Sequence, residues 1–206
     1  MRYSVKMKQV IISVVLALAG LSLATAQETG PSTQPESNFD YEPIRAGDQY
    51  IRMGLGAGIP LFNMTPDGIE SETNMNLGGT GSIGYSRYLN SKIAVGGEIT
   101  FAFNTTIGGN MFFYLPLTFK STYEFVYRRF HFPVSLGAGF AFQTHNANYY
   151  FGPMLKPELG AYWKYSPDWS FGMTAAWSLV PQWYTDSEYN RTGNFLDINA
   201  GFRYHF

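Results

Sequence analysis

From Asp48 to the C terminus the chain alternates apolar residues with small or polar ones, position by position. In the first run, "YIRMGLGAGIP", Ile51, Met53, Leu55, Ala57 and Ile59 share one side, and Arg52, Gly54, Gly56 and Gly58 the other. The third sets Ile93, Val95, Ile99, Phe101 and Phe103 against Ala94, Gly96, Glu98, Thr100 and Ala102. The fifth sets Phe132, Val134, Leu136, Ala138, Phe140 and Phe142 against Pro133, Ser135, Gly137, Gly139 and Ala141. The seventh sets Trp169, Phe171, Met173, Ala175, Trp177 and Leu179 against Ser170, Gly172, Thr174, Ala176 and Ser178. The intervening runs, around 77–88, 111–126, 153–165 and 194–206, repeat the theme less cleanly. A period of two is the mark of a strand, because successive side chains leave opposite faces. The pattern predicts eight strands, long enough for the roughly 9–11 residues that a tilted bilayer-crossing strand needs. Short connections ("YLNSK", "YRRF", "SPDW") alternate with longer ones ("NMTPDGIESETNMN", "NTTIGGN", "THNANYYFG", "PQWYTDSEYNRTG"). Consecutive antiparallel hairpins produce that alternation when one barrel end is trimmed, and an even strand count puts both termini at the trimmed end.

Two barrels fit such a pattern. A soluble one turns its apolar face inward around a ligand and needs a charged exterior. A membrane one turns the apolar face to lipid. Here the other face is mostly Gly, Ala, Ser and Thr, too small and too little charged for water, but suited to a narrow interior. The expected fold is therefore all-β: an eight-stranded antiparallel up-and-down transmembrane barrel over 48–206. Tyr85, Tyr123, Phe125, Phe132, Trp163, Tyr165, Trp169, Phe171, Tyr204 and Phe206 fall near the short-turn ends on the apolar face. That is the expected interfacial girdle.

Composition sharpens this picture. Charged residues make up 14% of the 206-residue chain and aromatics 17%, against about 25% charged in soluble domains. The net charge of -1 gives no electrostatic case for nucleic acid. Cys is absent, which removes disulfides, thiol catalysis and Cys metal sites. Residues 1–26 read as a signal peptide: Arg2, Lys6 and Lys8 precede an apolar run from Val10 to Leu23, and Ala24-Thr25-Ala26 offers a cleavage site. A retained anchor is the other reading of that run. Residues 27–47, rich in Pro, Ser, Thr, Glu and Gly, read as a flexible periplasmic arm.

The span 48–206 resembles the small outer-membrane barrels of the OmpA transmembrane domain, OmpX and OmpW type. Its most specific element is the last strand. Phe206, with Tyr204 and Phe202 before it, resembles the signal that the outer-membrane insertion machinery reads in these families. The stretch "LPLTFKSTYEFVYRRFHFPVSLGAGFAF" is also similar to small barrels of spirochaetes. The resemblance implies Sec export to a bacterial outer membrane. Its implied partners are the lipid bilayer and, during assembly, the insertion machinery. It implies a monomer without a cofactor.

By parity, Arg52, Glu98, Lys120, Glu124, Lys156, Glu158, Lys164, Asp197 and Arg203 point inward, with Glu98 opposite Thr118 and diagonal to Lys120. They read either as ion pairs filling the lumen or as a polar path for a small solute. Inward glycines leave room for water pockets in the second case. Pro116 and Pro157 lie inside strand runs. They mark bulges or, by similarity to OmpW, a wall that opens sideways. His131, His145 and His205 sit in no recognisable catalytic motif, and Asp67, Glu70 and Glu72 lack the spacing of a calcium loop. The expectation is a non-enzymatic barrel without a metal. It is either a narrow channel or facilitator for small solutes, or a structural or surface-interaction barrel acting through its loops.

Overall fold

The computed structural model describes residues 43–71, 73–145, 148–183 and 190–206. The signal peptide at 1–26 and the arm as far as residue 42 lie outside them. Eight long strands form the barrel: β1 (Gln49–Met64), β3 (Gly78–Tyr88), β4 (Ile93–Thr105), β5 (Met111–Tyr127), β6 (Phe130–His145), β7 (Asn148–Lys164), β8 (Trp169–Gln182) and β9 (Arg191–His205). A two-residue strand, β2 (Glu70–Ser71), folds back onto the loop end of β1. Each long strand pairs antiparallel with the next, and β9 returns to β1 to close the ring. Gln49 and Phe206 exchange backbone hydrogen bonds at 3.2 and 3.0 Å. The last strand thus has no free edge, which a bilayer without hydrogen-bond partners demands.

Burial is inverted relative to a water-soluble fold. Phe119 is 64% exposed and its neighbour Lys120 only 6%, and β5 alternates in this way along most of its length. Every member of the predicted aromatic girdle is exposed. Its rings pack on one another: Tyr123 and Phe125 centroids lie 4.7 Å apart, and Trp169 and Tyr204 5.0 Å apart. The outer surface is solvated by lipid, and the backbone ladder supplies the cohesion between strands. The residues just ahead of β1 are anchored. Ile44 packs with Tyr50, Tyr88 and Ala94, and Gly47 donates its amide to the Tyr88 carbonyl at 2.8 Å.

The β5–β6 connection is a two-residue turn, Arg128–Arg129, closed by the Tyr127↔Phe130 pair. Such a turn needs a positive φ at its first central residue, where glycine is usual. Arg128 adopts φ 55° there, at a cost of about 1–2 kcal/mol for a residue with a Cβ.

Prolines stand at irregularities in four seams, the β1–β9 register shifting between Pro60 and Phe62. Pro116 pairs with Ala141 of β6, but the β4–β5 ladder lapses, in unchanged register, between Ile99↔Leu117 and Ala102↔Tyr114. At Pro133 the β6–β7 ladder lapses, again in unchanged register, between His131↔Tyr162 and Val134↔Leu159. Both ladders resume beyond the break. The β7–β8 ladder does not. It skips Pro157, between Glu158↔Ala176 and Leu155↔Leu179, and ends there. Beyond that point residues 148–154 pair only with β6, and 180–182 only with β9. Continuing the register would set Pro153 opposite Pro181, so neither strand has an amide to donate.

Candidate functional site: the barrel lumen

The lumen has three layers, each built from residues on the inward parity of several strands. At the turn end, Arg203 of β9 donates from Nη1 to Glu124 Oε1 of β5 at 2.8 Å. His131 Nδ1 stands 3.4 Å from the same oxygen. The Arg203 guanidinium lies over the rings of Tyr162 and Tyr50, at 4.0 and 4.7 Å. An aromatic face can hold a buried cation without hydrating it. Ser170 Oγ and His205 Nε2 lie 2.9 Å apart nearby.

The middle layer ties β1, β4, β5 and β7 together. Arg52 donates to both oxygens of Glu158, at 2.5 and 3.1 Å, and also pairs with Glu98. Lys120 bridges Glu158 at 2.7 Å and Glu98 at 3.1 Å. Lys156 reaches the other Glu98 oxygen at 2.9 Å and Thr100 Oγ1 at 2.8 Å. Three cations thus hold two carboxylates in a buried site. There, losing either sign leaves a costly uncompensated charge. Beside this layer Asp197 accepts from Ser178 Oγ at 2.8 Å and from the Tyr114 hydroxyl at 3.2 Å.

The loop end of the lumen is apolar. Ala102, Phe112, Tyr114, Ala141, Met154, Val180 and Phe195 form one buried cluster, with Met75 of the β2–β3 connection packed against it. Tyr114 and Phe195 centroids are 5.1 Å apart, and Phe112 stacks on Phe195 at 5.9 Å. Met154 and Val180 flank the stretch where the β7–β8 ladder is missing. Here a side chain spans the two strands instead. The Tyr150 hydroxyl accepts the Trp183 amide at 2.8 Å and donates to the Pro181 carbonyl at 3.5 Å.

The structure buries all the inward ionisable residues named from the sequence. Arg52, Glu98, Lys120, Lys156 and Glu158 meet in the middle layer, whereas Glu124 and Arg203 pair separately. Asp197 is held by hydroxyls. Glu98 pairs with Thr118 and bonds Lys120 on the diagonal. Several inward glycines are places of close backbone approach rather than free space. A Cβ on Gly56 would sit 1.9 Å from the Ile198 carbonyl oxygen, and one on Gly139 equally close to that of Leu117. These glycines let neighbouring backbones approach. Among the described residues the cavity between Arg52, Glu98, Lys120, Glu158 and Arg203 is about 10 Å³, the room of about one water. Sequence reasoning missed Tyr50, Tyr114, Tyr162 and His131 as lumen residues, although the tyrosines share the parity of Arg52, Lys120 and Glu158 and His131 that of Ser135. Phe202, Tyr204 and Phe206 lie on the outward parity of β9, with Phe202 5.3 Å from Trp169.

An eight-stranded closed barrel with an apolar exterior and charged lumen defines a small transmembrane barrel of the outer-membrane type. Solved structures share this fold. OprG from Pseudomonas aeruginosa matches 79% of this chain and 97% of its own at TM-score 0.55 and 15% identity. Neisserial surface protein A matches 78% and 98% at TM-score 0.60 and 11% identity. In sequence, a protein-family model matches residues 28–204. An uncharacterized protein of Treponema pallidum (strain Nichols) is 33% identical over 199 residues, covering 92% of this chain and 91% of its own. One from Borreliella burgdorferi is 29% identical over 152 residues, covering 63% and 71%. The chain belongs to one family with the Treponema pallidum protein.

Proposed function

We propose that this protein is a non-enzymatic facilitator in a bacterial outer membrane, passing small apolar solutes sideways from its loop-end lumen into the lipid. Export rests on the leader at 1–26, and the trimmed end, with both barrel termini, faces the periplasm. The ion-paired middle layer acts as a plug, so a solute entering from the loops has no straight route to the periplasm. The observation that carries the reading is the placement of the apolar cluster. Met154 and Val180 belong to it and stand where β7 and β8 share no ladder. A solute can exchange with that cluster and leave through the wall at low backbone cost. The terminal Phe202, Tyr204 and Phe206 serve assembly as the mark recognised by the insertion machinery.

The chain has no cysteine, so a double variant Met154→Cys/Val180→Cys can lock the seam. Uptake of a fluorescent apolar probe into vesicles carrying the folded protein should stop on oxidation and recover on reduction. Equal uptake in the oxidised and reduced forms rejects the lateral route. A surface-contact role rests on the loop tips, where Ile69 and Ile107 are 64% and 74% exposed. Binding to a host surface that survives loss of residues 63–76 and 183–193 rejects that role.

A further inference from the structure

We propose that the turn end of the barrel carries a binding site for anionic phospholipid headgroups, centred on Arg128, with Lys92 of the neighbouring turn adding to its field. From residue 43 onward every Lys and Arg except Arg191 is either in the lumen or at the turn end. The turn-end set is Arg45, Arg87, Lys92, Arg128 and Arg129. Among the described residues two acidic side chains share that end, Asp48 and Asp168, and Asp48 already accepts the Arg45 amide at 2.8 Å. In sequence, the long connections at the opposite end hold Asp67, Glu70, Glu72, Asp186 and Glu188. Charge is therefore segregated along the barrel axis, with the cations at the level of the aromatic girdle. That level is where headgroup phosphates lie.

Local geometry singles out two of these residues. Arg128 is exposed and holds a left-handed φ of 55° where glycine would sit without strain. Backbone strain kept at an exposed position points to a use for the side chain. Its guanidinium lies 5.7 Å from the Tyr127 ring, and that ring is 65% exposed. The pair offers a phosphate-binding fork beside a ring that can rest against glycerol and upper acyl carbons. Lys92 stands in the neighbouring β3–β4 turn: its carbonyl accepts the amide of Glu124, which precedes Arg128 on β5, at 2.7 Å, and its own amide donates to Asn90 Oδ1 at 2.8 Å. The ligand class is a diacyl lipid with a phosphate monoanion and no compensating amine, as in phosphatidylglycerol.

The test uses the full folded barrel in nanodiscs of phosphatidylcholine with a minor fraction of phosphatidylglycerol, reading retained lipid by native mass spectrometry. Wild type should retain phosphatidylglycerol above its bulk share. Arg128→Gly should cut that enrichment about five-fold, the worth of one surface cation, while leaving unfolding unchanged or harder because glycine suits the turn. Adding Lys92→Gln should reduce it further. Unchanged enrichment in the double variant overturns the site. Displacement by soluble glycerophosphoglycerol at matched concentration assigns the site to free phosphate esters and overturns the lipid assignment.

Discussion

At the scale of single residues, the lumen behaves as a set of compensated charges. Glu98 accepts from Lys120 and Lys156 and pairs with Arg52. Glu98→Gln should leave excess cation in a buried layer and destabilise the barrel by about 3–5 kcal/mol. Lys156→Met on that background should recover part of the loss. Urea titration in lipid vesicles, followed by heat-modifiable gel mobility, reads both. Two equal midpoints would mean that the charges are not coupled. Parity alone made these residues legible, because the side-chain period of a strand is two. Their partners were not legible. Arg52 and Glu158 are 106 positions apart, and only the closed barrel's stagger brings them together. The glycines misled for a related reason. Sequence presents them as missing side chains, whereas at Gly139 the space is taken by the Leu117 carbonyl. Gly139→Ala should therefore cost about 1–3 kcal/mol as overpacking. Stability equal to wild type would show that the two strands can part at no cost.

At the scale of elements, the strands differ in how well they are joined. β5 and β6 pair continuously from Phe112↔His145 to Tyr127↔Phe130, whereas β7 and β8 lose contact beyond Leu155↔Leu179. Amide exchange should be faster at residues 150–154 and 180–183 than across the β5–β6 hairpin. Tyr150→Phe should speed exchange of the Trp183 amide further and cost about 1 kcal/mol, the net worth of a hydrogen bond. Uniform protection around the ring would contradict an open seam. Pro157 was visible in the sequence as an irregular strand position. The defect around it was not, because it depends on the register that sets Pro153 toward Pro181. The apolar layer at the loop end was hidden as well. Phe112, Tyr114, Met154, Val180 and Phe195 lie on the inward parity, and a lumen expected to be polar gave no reason to group them.

At the scale of the whole molecule, the pairing of Gln49 with Phe206 makes the β1–β9 seam a hydrogen-bonded ladder like those between consecutive strands. The barrel is a ring, and where the polypeptide is cut is a matter of chemistry rather than architecture. A circular permutant can therefore be made by linking Phe206 to Gln49 through a short Gly-Ser bridge and reopening the chain between Arg128 and Arg129. It keeps every strand neighbour and every lumen contact. It should fold unaided into vesicles with near-native yield. If the last strand serves as the proposed insertion signal, the same permutant should stall before the membrane in cells, since Phe206 then lies inside the chain. Equal assembly in both settings would free the last strand from any role as an address label and leave it as one stave among eight.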